Sequence, residues 1–212
     1  MSGRSCAGNI RPLRNLLAAL RYHREEFPEP TPVNINGIIE QTLQGDRQAY
    51  ARLIERYQDG VFAFLWRMGL RRAVIEELAQ ETFVRAWTHL GDFQPARSAF
   101  STWLFAIGRN LALNEIGRAG HRLEVATADD DAEPASGDDT PLAALERKRS
   151  RARLHTGLSR LAAAQRSVLA LCYLNELSLA EVAAIEGISI GATKVRLHRA
   201  RQALRDVLEN LP

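Results

Sequence analysis

Residues 177–209, LSLAEVAAIEGISIGATKVRLHRARQALRDVLE, spell out a helix, a tight turn and a second helix crowded with positive charge. Ser178 stands where an N-cap is wanted, and Glu181 three residues on completes a capping box that satisfies amide donors left open at a helix start. Val182, Ala183 and Ile185 give the first helix a short apolar face, and Gly187 supplies the left-handed residue that stops it. Ser189 opens the second helix, along which Thr193, Leu197, Ala200 and Leu204 recur at helical spacing. Lys194, Val195, His198, Arg199 and Gln202 fall on its other side. A helix that packs by one stripe and offers cations and small groups from the other meets the requirements of a major-groove reader. A solvated basic face is the plainer account of such charge. Yet residues 194–205 hold five Lys or Arg and one His, with Asp206 the first acid beyond them, and the turn is that of a helix-turn-helix. The pattern points to nucleic acid.

The rest of the chain bounds this reading. Its 212 residues allow one large domain or two small ones, and because the net charge of +3 is modest, the segregation of sign matters more than the sum. Cys6 and Cys172 form no CxxC motif, and Cys172 lies in the apolar run VLALCYL as a small core residue. Neither a disulfide framework nor a zinc site is suggested, in keeping with a reducing cytosol. An enzyme acting on nucleic acid needs clustered carboxylates or a His/Cys metal set. Here the five histidines, at 23, 89, 121, 155 and 198, are scattered, so no catalysis, metal or cofactor is expected. No apolar run approaches the ~20 residues of a membrane span. Arginines interrupt the apolar positions of the N-terminal RPLRNLLAALRYHREE, which makes a poor signal peptide, and a cytoplasmic protein without membrane insertion is expected.

Prolines 28, 30 and 32 set an extension, residues 1–35, apart from the remainder of the chain. From Asn36 to about Arg122 the pattern is helical. Asn36-Gly37 opens a helix carrying Ile38, Ile39 and Leu43, and Asp46 caps a second one through Ala49, Tyr50, Leu53, Ile54 and Tyr57. The apolar series continues through Val61, Phe62, Leu65 and Trp66. A third helix runs from about Val74 to Leu90, and a fourth begins near Ser101 after a break at Gly91-Asp92 and Pro95. Between Leu123 and Pro141 stand seven acids and no base, mostly among Ala, Ser, Gly, Thr and Pro. Such a stretch buries too little apolar surface to offset its ordering entropy and reads as a flexible acidic linker. Helical periodicity resumes at Leu142. The expectation is an all-α chain of two small helical domains, 36–122 and 142–212, joined by the linker 123–141.

Two further helix faces stand out. On the third helix Glu77, Gln80, Glu81 and Val84 lie together, opposite Ile75, Leu78, Ala79, Thr82, Phe83 and Ala86. That set is too acidic for DNA, so a functional partner would be a protein; taken alone, a solvated face accounts for it more simply. On the fourth, Trp103, Ile107, Asn110 and Asn114 share a face behind the loop DFQPARSAF. Aromatics and amides beside Arg suit unstacked bases, although a buried Trp with two surface amides accounts for this helix about as well.

Order and spacing join these features. DRQAYARLIERYQDGVFAFLWRMG, EELAQETFVRAW and DFQPARSAFSTWLFAIGRNLALNEIGR, with GATKVRLHRAR after them, closely resemble the extracytoplasmic-function sigma factors of bacteria over about 36–210. The resemblance implies a sigma region 2 bundle at 36–122 and a region 4 helix-turn-helix at 142–212. It implies that Glu77, Gln80 and Glu81 dock on the clamp of the largest subunit of core RNA polymerase. Phe100, Trp103, Arg109, Asn110 and Asn114 would recognise and melt the minus-10 element, and Lys194, Val195, Arg196, His198 and Arg199 would read the minus-35 element. Core polymerase, promoter DNA and an anti-sigma factor are the implied partners. The chain departs from the family in having Glu77 and Asn114 where Asp is usual, and in diluting a run of Arg to Gly117-Arg118-Ala119-Gly120-His121-Arg122. The family's Gly-Thr-Val-Lys-Ser-Arg becomes Gly-Ala-Thr-Lys-Val-Arg at 191–196, which removes two hydroxyls from the reading surface. The rival reading is an autonomous helix-turn-helix regulator, which needs neither the acidic face nor the Trp/Asn helix.

Overall fold

Side-chain caps set four of the helix starts. Asn34 Oδ1 accepts from Gly37 N at 3.0 Å, so α1 runs Ile35–Leu43 and begins just ahead of the expected Asn36. Asp46 Oδ1 accepts from Gln48 N at 2.8 Å and Ala49 N at 3.2 Å, opening α2, Arg47–Arg67. The next two, α3 (Arg72–Thr88) and α4 (Phe100–Ala119), start one or two residues earlier than periodicity indicates. A turn of 3₁₀ helix, Leu90–Asp92, succeeds α3. Helix α5, Pro141–Ser159, opens on its proline, whose fixed φ suits a first helical position and whose missing N–H costs nothing there. Then come α6 (Ala163–Cys172), α7 (Leu179–Glu186) and α8 (Ile190–Glu209). The computed structural model describes residues 34–119, 141–173 and 177–211, among which there is no strand. The expected extension up to residue 33, and the expected acidic linker but for Pro141, lie outside the described residues.

The first bundle, α1 to α4, closes over Leu53, Phe64, Leu65, Leu104 and Ala112, all nearly or wholly buried. The run from Val61 to Trp66 is apolar on every side, yet a helix turns only one side inward. Val61, Phe64, Leu65 and Met68 fill the core, whereas Phe62 is 40% exposed, and Leu43 at the end of α1 is 56% exposed, against the expectation for both. Phe64 has no exposed surface and meets Phe105 edge-on at 6.0 Å. Phe64→Ala is therefore expected to cost about 3–5 kcal/mol, read as a lower urea midpoint at unchanged slope.

In the second bundle, α5 to α8, Ala200, Leu204 and Leu208 of α8 are buried, as are Leu154 and Leu158 of α5. Gly157 allows the close approach: a Cβ there would sit 2.7 Å from Leu208 Cδ2. Arg153 Nη2 donates to Leu208 O at 2.7 Å, satisfying a carbonyl that the end of α8 leaves open.

The two bundles are in contact, α2 lying on α6 and α4 on α7. Periodicity marks the two bundles and gives no sign of this contact. Gly69, with φ +73°, ends α2 in the left-handed region, and a Cβ on it would come 3.0 Å from Ser159 Cα of the other bundle. Beside it Arg166 Nη1 donates to Met68 O at 2.8 Å and His155 Nε2 lies 3.1 Å from Leu70 O. His155 also packs on the Trp66 ring at 5.3 Å, and Arg151 sits over that ring at 5.7 Å. Burial, with Arg151 nearby, lowers the Arg67 guanidinium to about 10.

Candidate nucleic-acid interface

The helix-turn-helix has the predicted local geometry. Ser178 Oγ accepts from Glu181 N at 3.2 Å and Glu181 Oε2 accepts from Ser178 N at 2.7 Å, forming the capping box. Gly187 takes φ 67° as the C-cap of α7, and Ser189 Oγ accepts from Ala192 N at 3.1 Å to start α8. Thr193, Ala200 and Leu204 then face inward, with Leu197 half-buried. Lys194, Val195, His198 and Arg199 lie outward: Lys194, Val195 and Arg199 are exposed, Val195 by 52%, in line with the rest of that face. Arg196 departs from the expectation. Its Nη1 donates to Glu186 Oε2 at 2.8 Å, which turns it back onto α7.

On α4, Asn110 and Asn114 are exposed, and half-buried Trp103 packs on Phe93 at 5.4 Å. Phe100 corrects the sequence reading. It is 3% exposed, lying 5.4 Å from Tyr57 and 5.7 Å from Phe93, so its ring belongs to the core and is closed to a nucleobase. The reason is positional: Phe100 is the first residue of α4, and its side chain drops beneath the preceding loop onto α2. Arg109 is committed as well. Its Nε donates to Glu186 Oε1 at 2.9 Å and its Nη2 to Glu186 Oε2 at 3.2 Å, a two-pronged pair reaching across the bundles.

Glu186 is thus a residue that periodicity did not mark. It closes an apolar helix, and only its place before Gly187 hints that it turns inward. Its side chain has no exposed surface and also accepts from the Ser167 hydroxyl. Close by, Thr102 Oγ1 donates to Glu181 Oε1 at 3.0 Å and also joins the bundles. Burial pushes the Glu181 carboxyl up, but the bonds it accepts from Ser178 and Thr102 outweigh that and hold it below its ordinary value.

The α3 face has a different character. Glu77 and Gln80 are exposed, and Glu81 takes a surface hydrogen bond from Arg85 Nε at 2.7 Å. One turn further, Val84 is 57% exposed and Trp87 is 42% exposed, the latter edge-on to Tyr50 at 4.7 Å. Acids continued by an exposed aromatic suit a protein partner and repel a phosphate backbone. Trp87 was missed, although it stands three residues after Val84 on the same stripe. Among the described residues no group of three or more His, Cys, Asp or Glu could hold a metal ion, and no helix is long and apolar enough to cross a membrane.

Two family profiles match the chain: Sigma-70 region 2 over residues 53–122 and Sigma-70, region 4 over residues 142–204. The ECF RNA polymerase sigma factor SigW of Bacillus subtilis is 31% identical over 184 residues, covering 82% of this chain and 96% of SigW. The chain belongs to the extracytoplasmic-function sigma factors. SigL of Mycobacterium tuberculosis, another ECF RNA polymerase sigma factor, is 36% identical over 178 residues, 80% of this chain and 96% of SigL. Among solved structures, CnrH in complex with the cytosolic domain of CnrY superposes with a TM-score of 0.60 at 28% identity, covering 81% of this chain and 95% of CnrH. As an extracytoplasmic-function sigma factor the chain directs promoter-specific transcription initiation. Family membership thus disfavours an autonomous regulator.

Proposed function

We propose that residues 36–122 act as region 2 and residues 142–212 as region 4 of a dissociable, non-catalytic subunit that works in the cytoplasm with core RNA polymerase. Glu77, Gln80 and Glu81, extended by Val84 and Trp87, form the dock for the clamp of the polymerase's largest subunit. Trp103, Asn110 and Asn114 meet the opened minus-10 element, with Arg109 joining them when it leaves Glu186. Lys194, Val195, His198 and Arg199 read the minus-35 element, joined by Arg196. An anti-sigma factor restrains the chain, a reading supported by the relative CnrH, which is held by a cytosolic domain of a second protein.

The observation that carries this assignment is α8, which buries Thr193, Ala200 and Leu204 while offering Lys194, Val195, His198 and Arg199 from the opposite side. The test is holoenzyme binding to promoters that vary in the upstream element. Arg199→Ala is expected to lose about 1–3 kcal/mol on the preferred element and to discriminate less at one base pair. Equal binding by parent and variant would remove Arg199 from the interface. A loss uniform over sequences, with a salt dependence shallower by about one unit, would reassign it to the phosphate backbone.

A further inference from the structure

Arg109 Nε and Arg196 Nη1 donate to the two oxygens of one carboxylate, at 2.9 and 2.8 Å, which leaves the two guanidinium groups within roughly 8 Å of each other. One arginine belongs to the bundle assigned to the minus-10 element, the other to the bundle assigned to the minus-35 element. Those elements lie about 25 base pairs apart by their names, or roughly 85 Å along a duplex that rises about 3.4 Å per pair. No packing of α4 on α7 satisfies both. The arrangement in which Glu186 holds both arginines excludes engagement of both elements at once.

We infer that Glu186 is an internal latch: in the free chain its carboxylate occupies the place that promoter phosphates and bases take on Arg109, holding region 4 against region 2 until polymerase and DNA pull them apart. The inference rests on the promoter roles proposed for Arg109 and Arg196.

Four features suit a latch rather than a permanent joint. Glu186 is wholly buried and Arg109 is 15% exposed, so the pair is shielded from water and salt. When the bundles part, Glu186 keeps the Ser167 hydroxyl and gains water on the side that Arg109 leaves, and is not stranded as an unpaired buried charge. Arg109, once released, exchanges a carboxylate for a phosphodiester, a swap between two anions that its planar fork binds alike. The neighbouring cross-bundle hydrogen bonds, Thr102 with Glu181, Arg166 with Met68 O and His155 with Leu70 O, join groups that water can satisfy once the interface opens.

The experiment places a donor and an acceptor dye on Glu76→Cys and Arg205→Cys, both exposed sites, in a full chain with Cys6→Ser and Cys172→Ser. High energy transfer is expected in the free chain, falling when core polymerase and promoter are added. Glu186→Gln and Arg109→Gln should each lower the closed-to-open ratio at least tenfold without polymerase. Arg109→Gln breaks the pair from outside region 4, where Glu186 keeps its other partners, and so separates unlatching from any misfolding of the helix-turn-helix. Transfer that stays at the parent level in both variants would overturn the latch, whatever the promoter assays show. Loss of transfer in both, with Arg109→Gln holoenzyme transcribing like the parent, would uphold the latch and remove Arg109 from the promoter contacts.

Discussion

Reversing Glu77 and Glu81 to Lys is expected to weaken binding to core polymerase at least a hundredfold, or about 3 kcal/mol, while leaving the fold in place. The effect is large because each substitution deletes an acid and adds a like charge opposite whatever cation it faced. Stability should hardly change. Neither residue is buried, and the Glu81–Arg85 pair is a surface i,i+4 bridge worth under about 1 kcal/mol. The Glu81→Lys change, which sets a second cation beside Arg85, adds only a few tenths of a kcal/mol of repulsion. A titration of labelled chain with core polymerase reads the affinity, and a thermal melt reads the fold. Unchanged affinity would dissolve the proposed dock. Trp87 calls for a separate variant, since an exposed indole beside an acidic patch is the kind of anchor that dominates an interface. Because it packs on Tyr50, its replacement needs the same melt as a control.

Asn110→Ala should leave polymerase binding intact and slow open-complex formation on duplex promoters by about ten- to a hundredfold, equivalent to about 1–3 kcal/mol. A base within duplex DNA is hidden in the stack, and extruding it costs a few kcal/mol that the receiving surface must offset. Asn110 is exposed on α4, and its amide oxygen has only a long 3.4 Å contact with Arg109, so its hydrogen-bonding capacity is available to a base edge. Templates mismatched across the minus-10 element have already met the unpairing cost, and on them the variant should recover most of the parent rate. Normal rates on duplex promoters, or no recovery on mismatched ones, would exclude Asn110 from melting. With Phe100 in the core, Trp103 is the aromatic of this helix left to stack on the base, and it is half-buried.

The helices and their caps were legible because they rest on local chemistry. Ser178, Glu181, Gly187 and Ser189 each act on neighbours within four residues, so their types and spacing determine what they do. The outward side of α8 was legible for the same reason, since its buried residues leave Lys194, Val195, His198 and Arg199 nowhere else to point. What escaped depends on partners far along the chain. Phe100 reads equally well as a stacking platform or a core residue until Tyr57 and Phe93 close around it. Arg109 and Arg196 look like free cations until a carboxylate 77 residues beyond the first and ten before the second claims both. Glu186 stands in an apolar helix where its charge suggests solvent, and only the approach of α4 and α8 buries it. Sequence periodicity reports which side of a helix faces inward, and it does not report which other helix arrives there.

Run-off transcription with core polymerase on a library of promoters, with and without this chain, tests the central claim most directly. The account predicts transcripts that require the chain and start downstream of two shared elements. Inserting about five base pairs, half a turn of duplex, between those elements should then abolish the signal, because two reading surfaces on one subunit tolerate only a narrow spacing. Transcription that ignores the chain, or enrichment of a single element bound equally well without polymerase, would contradict it.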